Sequence, residues 1–207
     1  MFKLHARRGA GSMAVEALLA ECDIPYRVED VERGPDGKLP ASFLAINPRG
    51  EVPALILHDG SVMTESAAMM IYLADLYPDT GLAPPPASPL RPRYLRWLVF
   101  FATTIYMSDL RMYYPQRYTD DPAGADAVKR QAIAHMAREF EIFAAALGAG
   151  PYILGETFSA ADIYAAMLAS WADDVPALFA RHPNIKALYD RVTARPRIAK
   201  VWERNGA

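Results

Sequence analysis

Between residues 47 and 66 the chain reads NPRGEVPALILHDGSVMTES, and this punctuation leaves few architectures open. Asn47, Pro48, Arg49 and Gly50 make a turn, Ala54 to Leu57 an apolar strand, Asp59-Gly60 a hairpin turn, and Ser61 to Met63 a second short strand. Thr64, Glu65 and Ser66 open a helix. Proline cannot donate to a sheet ladder, so Pro53 belongs at the strand's first residue, and X-Pro bonds are the ones that are cis at modest cost. A cis Val52-Pro53 bond would turn the N–H and C=O of Val52 outward, where an extended peptide can pair with them like an added strand. At Glu65 and Ser66, unpaired N–H groups and the positive end of the helix favour a carboxylate, and Glu65 offers a partner to an ammonium. A small ligand with an α-amino acid head and a short peptide body satisfies both halves.

The flanking sequence extends this unit. Phe2 to His5 read as a strand, Arg8 to Gly11 as a loop, and Ser12 to about Cys22 as a helix whose apolar face carries Val15, Leu18 and Leu19. Ile24-Pro25 ends that helix, and Tyr26 to Val31 alternate as a strand, which makes a β-α-β crossover. A polar loop from Glu32 to Pro40 carries Lys38, a short turn or helix follows at Ala41 to Ala45, and the helix from Ser66 runs to Tyr77. The expected fold class is therefore α/β plus all-α: a thioredoxin-like domain over 1–78, a linker over 79–92, and a helical bundle over 93–207. The linker lies within PDTGLAPPPASPLRP, whose prolines forbid continuous helix or sheet. Beyond it, helices are expected at Tyr94–Tyr113, Ala123–Leu147, Ser159–Asp173, Pro176–Ala180, Pro183–Arg195 and Ile198–Glu203.

Composition excludes several classes. A net charge of −2 leaves no electrostatic footprint for nucleic acid or an anionic membrane surface. The single cysteine, Cys22, rules out an intrachain disulfide framework and CxxC chemistry, and fits a reducing compartment. MAVEALLA near the N-terminus is too short and too interrupted by Glu16 for a signal core or a membrane span, so a cytoplasmic protein is expected. No metal ion is expected.

The run NPRGEVPALILHDGSVMTES resembles the glutathione-binding half of the cytosolic glutathione S-transferases. FSAADIY at 158–164, with Ser159 as N-cap, Asp162 in capping-box position and Phe158 against Ile163 as a hydrophobic staple, is similar to the helix-capping motif of that family's helical domain. The likeness spans nearly the whole chain. It implies that Pro53 is cis, that the Val52 backbone pairs with the cysteinyl unit of glutathione, and that Glu65 and Ser66 hold the γ-glutamyl head. It further implies glutathione as co-substrate, a homodimer meeting through the Ser66–Tyr77 and Tyr94–Tyr113 helices, and a role in detoxification. Met69, Met70 and Tyr72 suit either that interface or the core.

The thiolate, not the thiol, is the nucleophile, and a free thiol of this kind titrates near ~8.5, so such an enzyme must stabilise the anion. Bacterial relatives of the beta class carry a cysteine in the context Gly-Ala-Cys-Ser, whereas this chain reads Gly9, Ala10, Gly11, Ser12. Ser12 is thus the leading candidate donor to the sulfur, helped by N–H groups at its helix start; the alternative is that it only caps that helix. In those relatives an asparagine and a histidine of the first bundle helix approach the sulfur, and the matching positions here are Val99 and Tyr106. Tyr106 either donates its hydroxyl to the thiolate or electrophile, or simply packs.

Lys38, Arg49 and Glu51 line the route to the glycyl end. Lys38 is the better partner for the glycine carboxylate, Arg49 is that or a solvated turn residue, and Glu51 stands where relatives carry glutamine or lysine. The second-substrate pocket is expected between the domains, walled by His5, Arg7, Tyr106, Met107, Leu110, Arg111, Tyr114 and Trp171. Conjugation of glutathione to a small electrophile is the reading these residues favour. The rivals are a non-catalytic protein of the same fold that carries ligands, and a glutathione-dependent isomerase or peroxidase.

Overall fold

The computed structural model describes Met1–Gly206. Its contacts divide into two compact units, Met1–Pro85 together with the segment from Thr193, and Pro86–Val192. In the first unit, β1 (Phe2–Ala6), β2 (Tyr26–Asp30), β3 (Ala54–Ile56) and β4 (Val62–Met63) form one mixed sheet in the order β2-β1-β3-β4. β1 and β2 run parallel, joined by α1 (Ser12–Glu21), and β3 runs antiparallel to both its neighbours. α2 (Ala41–Ile46) precedes β3, and α3 (Ser66–Leu76) follows β4.

The period-2 alternation of a strand sorts β1 onto two faces. Phe2, Leu4 and Ala6 are fully buried with α1 and with Met69, Met70 and Leu73 of α3, while the opposite face carries the satellite core of Val31, Phe43 and Ala54. Met69 and Met70 are therefore core residues, and Tyr72 of the same helix is exposed. At the tip of the β3-β4 hairpin, Asp59 Oδ1 accepts the Ser61 N–H at 2.9 Å and Gly60 takes φ +85°, the left-handed conformation that glycine permits.

Residues 193–206 were expected with the helical bundle, but α10 (Pro196–Asn205) packs against α1. The cause is an apolar stripe of Ile198, Val201 and Trp202, all buried, with Arg204 beside it at 2.8 Å from Glu16 of α1 and 2.6 Å from Asp30 of β2. α1 is thereby enclosed on all sides, which is why even Glu16 is buried in it.

The second unit is helical: α4 (Arg91–Phe100), α5 (Tyr106–Tyr113), α6 (Ala125–Leu147), α7 (Ala160–Ala169), α8 (Val175–Arg181) and α9 (Pro183–Thr193). Its centre is an aromatic cluster in which Trp97, Phe101, Phe143 and Tyr164 meet in tilted, edge-to-face and stacked pairs. The helix expected from Tyr94 to Tyr113 is interrupted by a π-helical turn at Phe101–Ile105. Two adjacent threonines account for it: Thr103 Oγ1 bonds back to the Val99 carbonyl at 2.8 Å, and Thr104 Oγ1 to that of Phe100, competing with the regular ladder. Asp162 is fully buried and forms the expected capping box with Ser159, and its second oxygen also accepts the Ile153 N–H at 2.8 Å.

Candidate functional site

Strand register assembles the site. His5 of β1 pairs with Ala54, so the loop after β1 lies alongside Val52-Pro53. Met63 of β4 pairs with Leu55, so Thr64, Glu65 and Ser66 leave the sheet at that same end. Three segments distant in sequence, 7–12, 52–53 and 64–66, thus converge at one end of the sheet.

The Val52-Pro53 peptide bond is cis, and neither the N–H nor the C=O of Val52 makes a hydrogen bond with another described residue. Asn47, almost fully buried, holds the preceding turn: its Nδ2 donates to the Glu51 carbonyl at 2.7 Å and its Oδ1 accepts the Arg49 N–H at 3.2 Å. Gly50 takes φ +65°, and a Cβ there would stand 2.7 Å from Leu39 Cδ1, so only glycine fits without displacement. Sequence reading marked Asn47 and Gly50 only as turn residues; their role in shaping the approach to Val52 emerges from the contacts.

Glu65 adopts φ +65° and ψ +98°, one of two positive-φ non-glycine residues among those described. Such a backbone costs on the order of 1–3 kcal/mol and persists where its surroundings hold it, often at ligand sites. Ser66 beneath it is buried, and no side chain caps α3. The N–H groups of Ala67 and Ala68 make no hydrogen bond with described residues, which leaves the positive end of that helix open to a carboxylate.

Arg49 and Glu51 form an exposed ion pair at 2.9 Å, which also raises the Arg49 pKa, so the Glu51 carboxylate is neutralised locally. Lys38 is exposed on the turn closed by Gly34 and Lys38, 3.8 Å from Asp36.

Ser12 neither caps α1 nor has a free proton. Gly11 is the N-cap residue, and Ser12 Oγ donates to the Arg7 carbonyl at 3.0 Å while accepting the Arg7 N–H at 3.1 Å. The donors left at the start of α1 are the Gly11 and Ser12 N–H groups, which bond to no described residue. Asn205 of α10 pins the same loop, its Oδ1 accepting the Gly9 N–H at 3.1 Å. No sequence signal links positions 9 and 205.

Two of the pocket candidates fall in this unit. His5 is buried against Phe43, with its rings 5.7 Å apart, and lines a small cavity of about 80 Å³ with Asp30, Val31 and Ser42. Burial, opposed by Glu29 and aided by Lys3, lowers its pKa and favours the neutral ring. Arg7 Nε reaches the Val31 carbonyl at 3.4 Å, and its Nη2 is buried with no partner.

The others lie in the helical unit. Tyr106 opens α5 directly after the π turn, its ring 5.7 Å from that of Trp171. Met107 and Leu110 are half-buried on the same helix, and Val99 on α4 is exposed. Arg111 lies over the Tyr118 ring at 5.3 Å, and Arg117 over Tyr114 at 4.0 Å. One group went unnoticed in the sequence: Asp109, three residues after Tyr106, is buried with Oδ1 unpartnered, and desolvation pushes its carboxyl up to about 7. Nothing in its local pattern distinguishes it from a surface aspartate. Among the described residues no group of three or more His, Cys, Asp or Glu side chains could hold a metal ion, and no helix is long and apolar enough to cross a membrane.

Comparison with known proteins gives these features a family. Residues 12–76 match the glutathione S-transferase N-terminal domain, and residues 108–205 the C-terminal domain. The glutathione S-transferase GstA of Escherichia coli O157:H7 is 30% identical over 211 residues, covering 99% of this chain and 98% of its own. A glutathione transferase crystal structure from Methylococcus capsulatus is 32% identical, with a TM-score of 0.83 over 100% of this chain and 99% of that one. A glutathione transferase homologue from Sulfitobacter, solved with bound glutathione, is 28% identical, with a TM-score of 0.88 over 99% and 98% of the two chains. Matched by both domain models and by a relative 30% identical over nearly its whole length, the chain belongs to the glutathione S-transferase family.

Proposed function

We propose that this protein conjugates the glutathione thiolate to a small electrophilic carbon. The observation that carries the reading is the convergence of loop 7–12, Val52-Pro53 and Glu65-Ser66 at one end of the sheet. The unbonded Val52 main chain pairs with the cysteinyl unit, Ser66 and the start of α3 receive the γ-glutamyl carboxylate, and Glu65 takes its ammonium. Lys38 meets the glycine carboxylate, with Arg49 shared between that group and Glu51. The sulfur then lies toward the start of α1, where the Gly11 and Ser12 N–H groups stabilise the thiolate, as helix N-termini do. The thiol loses its proton to solvent, the thiolate pair forms the C–S bond, and the leaving group departs with the pair from the broken bond. Within the helical unit, Tyr106 beside Trp171, with Met107, Leu110, Arg111 and Tyr114, is the set proposed to meet the electrophile.

The test is retention on immobilised glutathione together with turnover of an activated aryl halide. Retention with turnover supports the assignment; no retention and no turnover across a broad panel of electrophiles removes it. Retention without turnover selects the second reading, a non-catalytic glutathione-binding protein, which is favoured by one observation: the Ser12 proton is already donated to Arg7.

The same reading includes a homodimer in the cytoplasm. Tyr72 and Leu76 on α3 and Val99 on α4 are large apolar side chains left exposed in the single chain, as an isologous interface requires. Cys22, its thiol pushed up to about 11 chiefly by burial, is inert and suits a reducing compartment. Sedimentation at micromolar concentration distinguishes dimer from monomer.

A further inference from the structure

The helical unit contains a second concavity built from α6, α8 and the turn that precedes α8. Met136, Phe140 and Leu178 form its buried floor, and Ile133, Ala137 and Ala177 its walls, around a cleft of about 150 Å³. A cleft of that size accepts one benzene-sized ring against its apolar floor.

The polar groups at its rim have an unequal balance. Arg181 is paired with Glu141 at 3.6 Å, and His182 is held toward its neutral form, first by burial. Asp174 spends Oδ1 on the Ala177 N–H at 2.9 Å. Asp173 is exposed and has neither an ion pair nor a hydrogen bond with any described residue. The mouth thus offers unneutralised negative charge above an apolar floor, a combination that complements a cation carried on a small hydrophobic body.

We infer that this cleft binds a small organic ammonium, a single ring or equally compact aliphatic body bearing a primary amine on a short tether, with the body between α6 and α8 and the ammonium at Asp173. The site lies wholly within the helical unit and uses none of the residues assigned to glutathione.

The test is a titration with benzylammonium, with benzyl alcohol as the neutral isostere and benzoate as the anion, followed by amide chemical shifts. At low salt, benzylammonium is expected to bind about two- to fivefold tighter than benzyl alcohol, as one exposed charge pair allows, and benzoate to bind least. The gap should close in high salt. Asp173→Asn should bring benzylammonium to the level of benzyl alcohol without changing retention on glutathione, and Ala137→Phe should abolish binding of both. Benzoate binding as well as benzylammonium, shifts that survive Ala137→Phe, or no effect of Asp173→Asn would each overturn the assignment. So would the absence of any shift at tens of millimolar ligand. Asp173 is on the surface, so its variant tests the site even if the filled cleft misfolds.

Discussion

Ser12 Oγ closes a loop on Arg7, giving its proton to the Arg7 carbonyl at 3.0 Å and receiving the Arg7 N–H at 3.1 Å. The Arg7 N–H has that hydroxyl alone, while its carbonyl also accepts the Ala10 N–H at 3.2 Å. Ser12→Ala should therefore destabilise the protein by about 1–3 kcal/mol, the usual cost of stranding partly buried polar groups, measured by urea denaturation. If the Gly11 and Ser12 N–H groups hold the thiolate, kcat with an aryl halide should fall less than about tenfold. A larger loss accompanied by an upward shift of the thiol in the pH–rate profile would return the hydroxyl to the sulfur.

Ser66 lies buried at the uncapped start of α3, where a ligand carboxylate is proposed to sit. Ser66→Ala should weaken glutathione binding by about tenfold, corresponding to one charge-assisted hydrogen bond. Calorimetry reads the change directly. Affinity equal to wild type would place the γ-glutamyl head elsewhere.

Arg204 reaches Glu16, whose side chain is only 4% exposed, and Asp30 beyond it. Removing the cation leaves a buried carboxylate without its main partner, so Arg204→Met should cost about 3 kcal/mol. Glu16→Leu combined with Arg204→Met should recover most of that, because two apolar groups replace the pair. Denaturation midpoints of the two single variants and the double variant form the cycle that checks it.

Asp109 is pushed up to about 7 by desolvation. A raised carboxyl means the folded state holds its proton more tightly than the unfolded chain does. Its stabilising effect is thus complete at the lowest pH and is lost as pH rises from about 4 to about 7. The loss is at most about 4 kcal/mol for a shift of that size. Asp109→Asn should flatten stability across this window and make the protein more stable than wild type at pH 8, as thermal denaturation at a series of pH values would show. An unchanged pH slope would mean that water or motion solvates the carboxyl.

The sequence by itself determined what depends on a few neighbouring residues. Asp59-Gly60 makes its turn because the Asp59 carboxylate reaches only to Ser61 and glycine alone accepts the left-handed φ at Gly60. Ser159 and Asp162 form their box across three residues, and the prolines after Pro78 interrupt regular structure wherever the chain later folds. Tertiary structure decided which distant groups meet. Asn205 finds Gly9, Arg204 finds Glu16, and Ile153 supplies Asp162 with a bond beyond its own helix. The same holds where local chemistry permits several outcomes: the Ser12 hydroxyl has one proton, and the fold gave it to Arg7. Burial follows the same logic, because whether an aspartate such as Asp109 is hydrated depends on the helices packed around it, and a one-dimensional pattern carries that information only where the apolar period is unbroken.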